Sequence, residues 1–152
     1  MAQHDGTVDI SEKGRSARMA RARTALRARP EVVDRLLEDR LDKSDPLPTA
    51  RAAAMLAVKR TPDTLPHCHP IDVTDITVEF EPDDDEVVVL CTVRAADRTG
   101  PDMEALTGAS TAALTLYDMV KGICPEAVIG PTQLMQKEGG RTGHWKAEDA
   151  DE

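Results

Sequence analysis

Aromatic side chains are almost missing from this chain: Phe80, Tyr117 and Trp145 are the whole set in 152 residues. A reader of single-stranded nucleic acid binds by stacking bases on such rings, so that class is excluded. Lysine is scarce as well, limited to Lys13, Lys43, Lys59, Lys121, Lys137 and Lys146. With 28 acidic against 19 basic residues and a net charge of -9, the overall field repels nucleic acid and anionic membrane. The three cysteines, Cys68, Cys91 and Cys124, are odd in number and have no C-x-x-C spacing. That pattern points to a reducing compartment and away from a disulfide framework, an iron–sulfur cluster or a structural zinc site. No apolar run approaches the roughly 20 residues a bilayer span needs. The opening MAQHDGTVDISEKG has no apolar core segment, so no secretory leader is expected. A soluble, cytoplasmic protein is the expectation.

What is present suffices for one domain, residues 1–152, with residues 1–6 and 147–152 expected to be flexible. A chain of this length buries roughly two-thirds of its unfolded surface and needs no staple. Its hydrophobic share of 40% must come from Ala, Val, Leu, Ile and Met. Residues 15–29 are ambiguous, because Arg21-Ala22-Arg23 alternates like a strand while the alanine content favours helix. Pro30 opens a helix with Val33, Leu36, Leu37 and Leu41 on one face. A second, Ala-rich helix spans Thr49 to Lys59 with Met55 and Val58 inward, and the proline-punctuated stretch 61–70 is irregular. Strands follow at Val73–Phe80 and Val87–Val93 around the turn Pro82-Asp83-Asp84-Asp85. The longest helix is expected from Met103 to Lys121, and a last strand from about Val128 to Gln136. The order strand, helix, helix, strand, strand, helix, strand predicts an α+β, ferredoxin-like antiparallel sheet packed on one face by helices.

Four clusters carry possible chemistry. In Leu65-Pro66-His67-Cys68-His69-Pro70 two imidazoles one residue apart would project to one side of an extended chain. They suit an anion, a proton relay or a metal, although H-x-H without a third ligand is weak for metal, and a plain turn is the alternative. Asp102, Met103 and Glu104 stand at a helix start, where acids also serve simply to complement the helix dipole. On that helix Glu104, Gly108, Thr111, Thr115 and Asp118 form a small-and-polar stripe, and Lys121 sits one turn past Asp118. Asp118 and Lys121 make either a surface ion pair or an acid–base pair. Finally Lys137-Glu138-Gly139-Gly140-Arg141-Thr142-Gly143 is a glycine-rich loop with cations at both ends, fit for an anion but without Walker spacing. An acid-free basic run, Lys13 to Arg29, stands apart from all four.

Together the strings LPHCHPIDVT, TGPDMEALTGASTAALTLYDMVK and VIGPTQLMQKEGGRTG, in this order, resemble the cyclic pyranopterin monophosphate synthase (MoaC) family of molybdenum cofactor biosynthesis. VDISEK and DKSDPLPTARAAAMLAVKRT fit as well, so the resemblance spans about residues 7–143. It implies a phosphorus–oxygen lyase acting after a radical-SAM GTP cyclase. The implied reaction converts 3',8-cyclo-7,8-dihydro-GTP to cyclic pyranopterin monophosphate and pyrophosphate, with no cofactor or metal. It also implies a homo-oligomer, a hexamer built as a trimer of dimers, with active sites at the dimer interface. Carried over by position, Asp118, Lys121 and Lys137 are the catalytic residues. Lys43, His67, Cys68, His69, Asp102, Met103, Glu104 and Arg141 are the substrate-binding ones.

The chain departs from the family pattern in places. Asp102 stands where Glu is usual, His67 where Leu is usual, Arg141 where Lys is usual, and Ser44 and Pro46 where Gly and Val are usual. None removes an essential group. The alternative reading is a catalytically silent nucleotide- or pterin-binding protein on the same fold. An Arg-rich nucleic-acid module at residues 13–29 is a third, disfavoured by the net charge. One spacing constrains how such a site can be built: in a continuous helix Glu104 and Asp118 lie about 21 Å apart along the axis, beyond the reach of one small substrate. Either the helix starts later or each site draws on two subunits.

Overall fold

The arginine–alanine alternation of residues 16–27 resolves into the central strand of a six-stranded antiparallel sheet in the computed structural model, which describes residues 5–141 and 143–148. The flexibility expected at residues 1–6 and 147–152 falls largely outside the described residues, as does Thr142 of the glycine-rich loop. Strand β1 (Ser16–Arg27) turns Ala20, Ala22, Thr24 and Leu26 into the interior, each at most 1% exposed, and Arg21 and Arg23 to the other side. Local propensity could not decide this segment. Its place between β3 on one side and β4 and β5 on the other did, because a central strand satisfies its backbone on both edges.

Three helices separate β1 from the next strand. Helix α1 (Pro30–Leu37) begins at the expected proline but ends four residues before Leu41. Its buried residues are Val32, Val33 and Leu36, while Leu37 is 38% exposed. Asp39, at φ 55°, turns the chain just beyond, and Leu41 packs back on the core from the following loop. Helix α2 (Pro46–Lys59) starts three residues earlier than expected, with Pro46 and Pro48 in the first turn, where an N–H has no intrahelical partner to lose. Its buried stripe is Ala50, Ala54 and Val58, with Met55 only half-buried. The stretch expected to be irregular contains one short helix, α3 (Thr61–Thr64).

The hairpin β2 (Val73–Pro82) and β3 (Glu86–Asp97) is longer at its ends than the alternation alone indicates. Helix α4 (Asp102–Val120) then runs as one continuous element. The expected last strand is divided into β4 (Val128–Ile129) and β5 (Gln133–Glu138), with the cis Gly130–Pro131 bond between them. A third short strand, β6 (His144–Lys146), carries no sequence signal; it pairs with β5. The sheet order β2-β3-β1-β5-β6 places β3 between β1 and β2, and β1 between β3 and β5, the ferredoxin-like arrangement that the element order predicts.

The near-absence of aromatics has a structural counterpart. The core is Ala, Val and Leu with Cys91 and Cys124, and α2 and α4 meet through alanines and Gly108. A Cβ on Gly108 would lie 2.7 Å from both Val58 Cγ2 and Cys91 Sγ, so the approach of α4 to α2 and β3 requires glycine there. This packing fixes α4 across the sheet with its two ends free to carry functional groups. No helix is long and apolar enough to cross a membrane among the described residues.

Candidate active site

Each end of α4 assembles a separate charged cluster. At the C-terminal end the exposed side chain of Asp118 receives two ammonium groups. Lys121 Nζ lies 2.9 Å from Oδ1, one turn along the helix. Lys43 Nζ, brought in by the loop between α1 and α2, lies 2.8 Å from Oδ2 and 3.2 Å from the Asp118 carbonyl oxygen. Hydrogen bonds from Lys43 and then Lys121 hold the Asp118 carboxyl below the usual carboxylate range. The geometry is thus a three-member cluster, and Lys43 reaches it despite Ser44 and Pro46.

The N-terminal end is more enclosed. Asp102 and Glu104 both stand in the first turn of α4, where a carboxylate complements the helix dipole, yet neither is left there as a free surface acid. Asp102 Oδ2 instead pairs with Lys137 Nζ at 3.3 Å, across from β5. Lys137 reaches it because it lies opposite Ala20 on the helix-facing side of the sheet, in the strand and not in the loop. Glu104 is only 3% exposed, and burial, with a smaller contribution from the Asp102 charge, pushes its carboxyl above the usual range.

Around this end lie two adjoining cavities. One of about 290 Å³ is lined by His67, Cys68, His69, Met103 and Glu104 together with Lys13. The His segment is not extended as expected: Cys68 N–H donates to Leu65 O at 3.1 Å, so Pro66 and His67 form a turn. Both imidazoles nevertheless line the same cavity. Burial, and then the charge of Glu104, raises the Cys68 thiol above its ordinary value, which makes it a poor thiolate nucleophile. The other cavity, about 350 Å³, is lined by Asp102, Met103, Lys137 and Arg141 and by two residues not expected at the site, Lys13, which ends the VDISEK string, and Arg18, which stands in no string. Both belong to the acid-free run 13–29, but a charge run alone does not reveal which of its members faces a cavity.

All eleven residues expected at the site therefore fall into two groups. Lys43, Asp118 and Lys121 make one; His67, Cys68, His69, Asp102, Met103, Glu104, Lys137 and Arg141 make the other, with no contact between them inside the subunit. Because α4 is continuous from Asp102, a later helix start is ruled out as the explanation of their separation. Among the described residues no three His, Cys, Asp or Glu side chains are placed to hold a metal ion. Chemically, the first group offers an ionised carboxylate between two cations. The second offers a protonatable buried carboxyl, two imidazoles and a set of cations open to an anion.

The chain matches the model of the MoaC family over residues 7–140. It is 46% identical over 138 residues to the cyclic pyranopterin monophosphate synthase of Streptomyces coelicolor, covering 91% of this chain and 81% of that protein. Identity is also 46% over 138 residues with cyclic pyranopterin monophosphate synthase 2 of Mycobacterium tuberculosis, covering 91% and 83%. With the cyclic pyranopterin monophosphate synthase of Geotalea uraniireducens it is 44% over 144 residues, covering 93% and 90%. The chain belongs to the MoaC family.

Proposed function

We propose that this MoaC-family chain is a cyclic pyranopterin monophosphate synthase. It is a lyase that converts 3',8-cyclo-7,8-dihydro-GTP to cyclic pyranopterin monophosphate with release of pyrophosphate in the cytoplasm, downstream of a radical-SAM cyclase. The observation that carries this reading is the pairing of opposite carboxyl environments on one helix, Asp118 held ionised by Lys43 and Lys121 and Glu104 buried beside a cation-lined cavity.

In this reading the ligand's ring system and triphosphate sit at the N-terminal cluster, where Lys13, Arg18, Lys137 and Arg141 meet phosphate oxygens. His67, His69 and Glu104 line the adjoining space and orient the ring by hydrogen bonds. Ring opening and closure require proton transfers, supplied by Lys121 with Asp118 as its acceptor partner. In the phosphoryl step a ribose hydroxyl oxygen bonds to the α-phosphorus and gives its proton to that acid–base pair. The bond from the α-phosphorus to the bridging oxygen breaks, and pyrophosphate leaves with the bonding electrons. Cations around the phosphates lower that barrier by meeting the charge as it spreads.

The two clusters lie about 21 Å apart along one helix, so one substrate engages both only if neighbouring subunits face each other. The working unit is accordingly an oligomer, a hexamer as trimer of dimers, with each site shared. Incubation with the cyclised GTP intermediate, followed by detection of pyrophosphate and of a pterin fluorophore after oxidation, tests the activity; no product at micromolar enzyme leaves a binding protein only. Sharing is tested by mixing inactive Asp118→Ala and Glu104→Ala proteins. Recovery of activity in mixed oligomers is expected, and none would place both clusters' functions within one subunit.

A further inference from the structure

Asp118 and Lys121 stand on α4 and its C-cap, but Lys43 comes to them from the loop between α1 and α2. It lies near the tip of the run Asp39-Arg40-Leu41-Asp42-Lys43-Ser44-Asp45. A lysine side chain rotates freely, and ordering one in a half-exposed ion pair costs entropy that the pair scarcely offsets. Yet Lys43 Nζ makes two contacts at once, to Oδ2 and to the backbone oxygen of Asp118. Such a two-point contact needs the loop backbone beneath it to be fixed.

The tip does not fix itself. Among the described residues Leu41 to Ser44 make no backbone–backbone hydrogen bond. The base of the loop is tied instead. Arg40 N–H donates to Arg35 O at 2.8 Å, and Arg35 Nε returns a hydrogen bond to Arg40 O at 3.0 Å. Across the mouth of the loop Asp39 Oδ1 accepts the Asp45 N–H at 3.0 Å. That bond closes residues 39–45 into a ring. It goes to the residue before α2 and not to a free N–H of the first turn, so it closes the loop rather than capping the helix. Both closing residues lie in the left-handed region, at φ 55°. Asp is among the few residues with a side chain that visit it, because a short polar side chain can bond the local backbone. Pro46 also disfavours right-handed α at Asp45.

We propose that Asp39 is a positioning residue for the reaction: its hydrogen bond to the Asp45 N–H clasps the loop and sets Lys43 on Asp118. This rests on the lyase reading for what the cluster does, but not for how it is built. Asp39 makes no hydrogen bond or ion pair with Lys43 or Asp118, so it acts through the backbone alone. Opening the clasp frees the tip, and Lys43 then spends less of its time on the carboxylate.

The first test needs no substrate. NMR titration of the Asp118 side-chain carboxyl in the full-length protein reads the presence of Lys43. Among the described residues, Lys43 from the loop and Lys121 from α4 are the charged groups facing that carboxyl. Asp39→Gly keeps the left-handed backbone and deletes the acceptor. It should let Asp118 titrate at higher pH, in the same direction as Lys43→Ala and less far. Asp39→Asn keeps an acceptor oxygen and tolerates the same backbone, so it should titrate as the parent does. In a Lys43→Ala background Asp39→Gly should add nothing, because the group it positions is gone. In turnover Asp39→Gly should lower kcat/KM about fivefold, the worth of one net hydrogen bond, while Asp39→Asn keeps the parent value. An Asp118 titration unmoved by Asp39→Gly overturns the clasp, as does a shift of equal size without Lys43. A shift in Asp39→Asn that matches Asp39→Gly also overturns it, because the charge and not the bond would then be responsible. A Lys43-dependent shift in a protein that forms no pyranopterin keeps the clasp and removes the lyase reading. Normal pyranopterin formation with Asp118 unmoved does the reverse.

Discussion

At its N-terminal end α4 buries Glu104 between the histidine segment and a cation-lined cavity, whereas at its C-terminal end the same face of the helix holds Asp118 out to Lys43 and Lys121. Two carboxylates on one stripe are driven in opposite directions, Glu104 toward the protonated form by burial and Asp118 toward the ionised form by hydrogen-bonded ammonium groups. A site that must both donate and accept protons near neutral pH needs this kind of divergence. The difference shows that a helix can install an acid and a base with one sequence pattern. The covering elements, not the side chains, decide which is which. The cover comes from the His67–His69 turn at one end, while at the other the α1–α2 loop contributes little more than Lys43.

The largest effect expected from breaking this comparison is at the exposed end. Asp118→Asn or Lys121→Met should lower kcat by roughly 10²- to 10⁴-fold, the range for loss of a general acid–base group, with Tm essentially unmoved because both side chains are half-exposed. Lys43→Ala sharpens it further. Removing the first of the groups that depress Asp118 lets its pKa rise, so the acid limb of the pH–rate profile should move to higher pH. Retained turnover in Asp118→Asn would reduce the C-terminal cluster to a surface ion pair.

Much of the fold is legible in the sequence because long periodic elements and punctuating prolines are strong local signals. Helix α4 lies within one residue of its expected bounds at both ends, and the β2–β3 hairpin surrounds the expected acidic turn. The rest is decided by tertiary placement. Residues 16–27 become a strand through pairing on both edges, and β6 is a three-residue exposed strand with no pattern of its own to read. The expected site residues stand in motif strings, and the spacing from Glu104 to Asp118 already implies their division. Lys13 closes the VDISEK string without a role read for it and Arg18 stands in none, because seven cations without an intervening acid look alike until the fold selects two to line a cavity beside Asp102.

The next effect concerns stability at the buried end. Glu104 has its carboxyl pKa raised in the folded protein, so the folded state binds this proton more tightly than the unfolded chain does. Its contribution is therefore most favourable in acid, and it declines as pH rises from the ordinary carboxylate range through the raised folded value. Glu104→Gln abolishes that decline. Above neutral pH the variant should melt higher than the parent by roughly a few degrees, with the gap closing toward acid. A gap that is independent of pH would mean that Glu104 is not the titrating group. In turnover Glu104→Gln should fall less than Glu104→Ala, since an amide keeps the size and much of the hydrogen-bonding capacity of the carboxyl.

The smallest effect is optical and asks which end holds the ligand. Trp145 is the single tryptophan, 42% exposed on β6, and lies opposite Lys137 in the β5–β6 ladder. Opposed residues on neighbouring strands share a face, so the indole reports on the surroundings of Lys137 and is silent about Asp118 in its own subunit. Binding of GTP, a triphosphate probe that requires no turnover, should therefore produce a modest, saturable change in emission. If the phosphates sit at the N-terminal cluster, Asp118→Asn leaves that change intact and Lys137→Ala removes it. The opposite pattern, loss with Asp118→Asn and persistence with Lys137→Ala, would move the phosphate-binding end of the site to the C-terminus of α4.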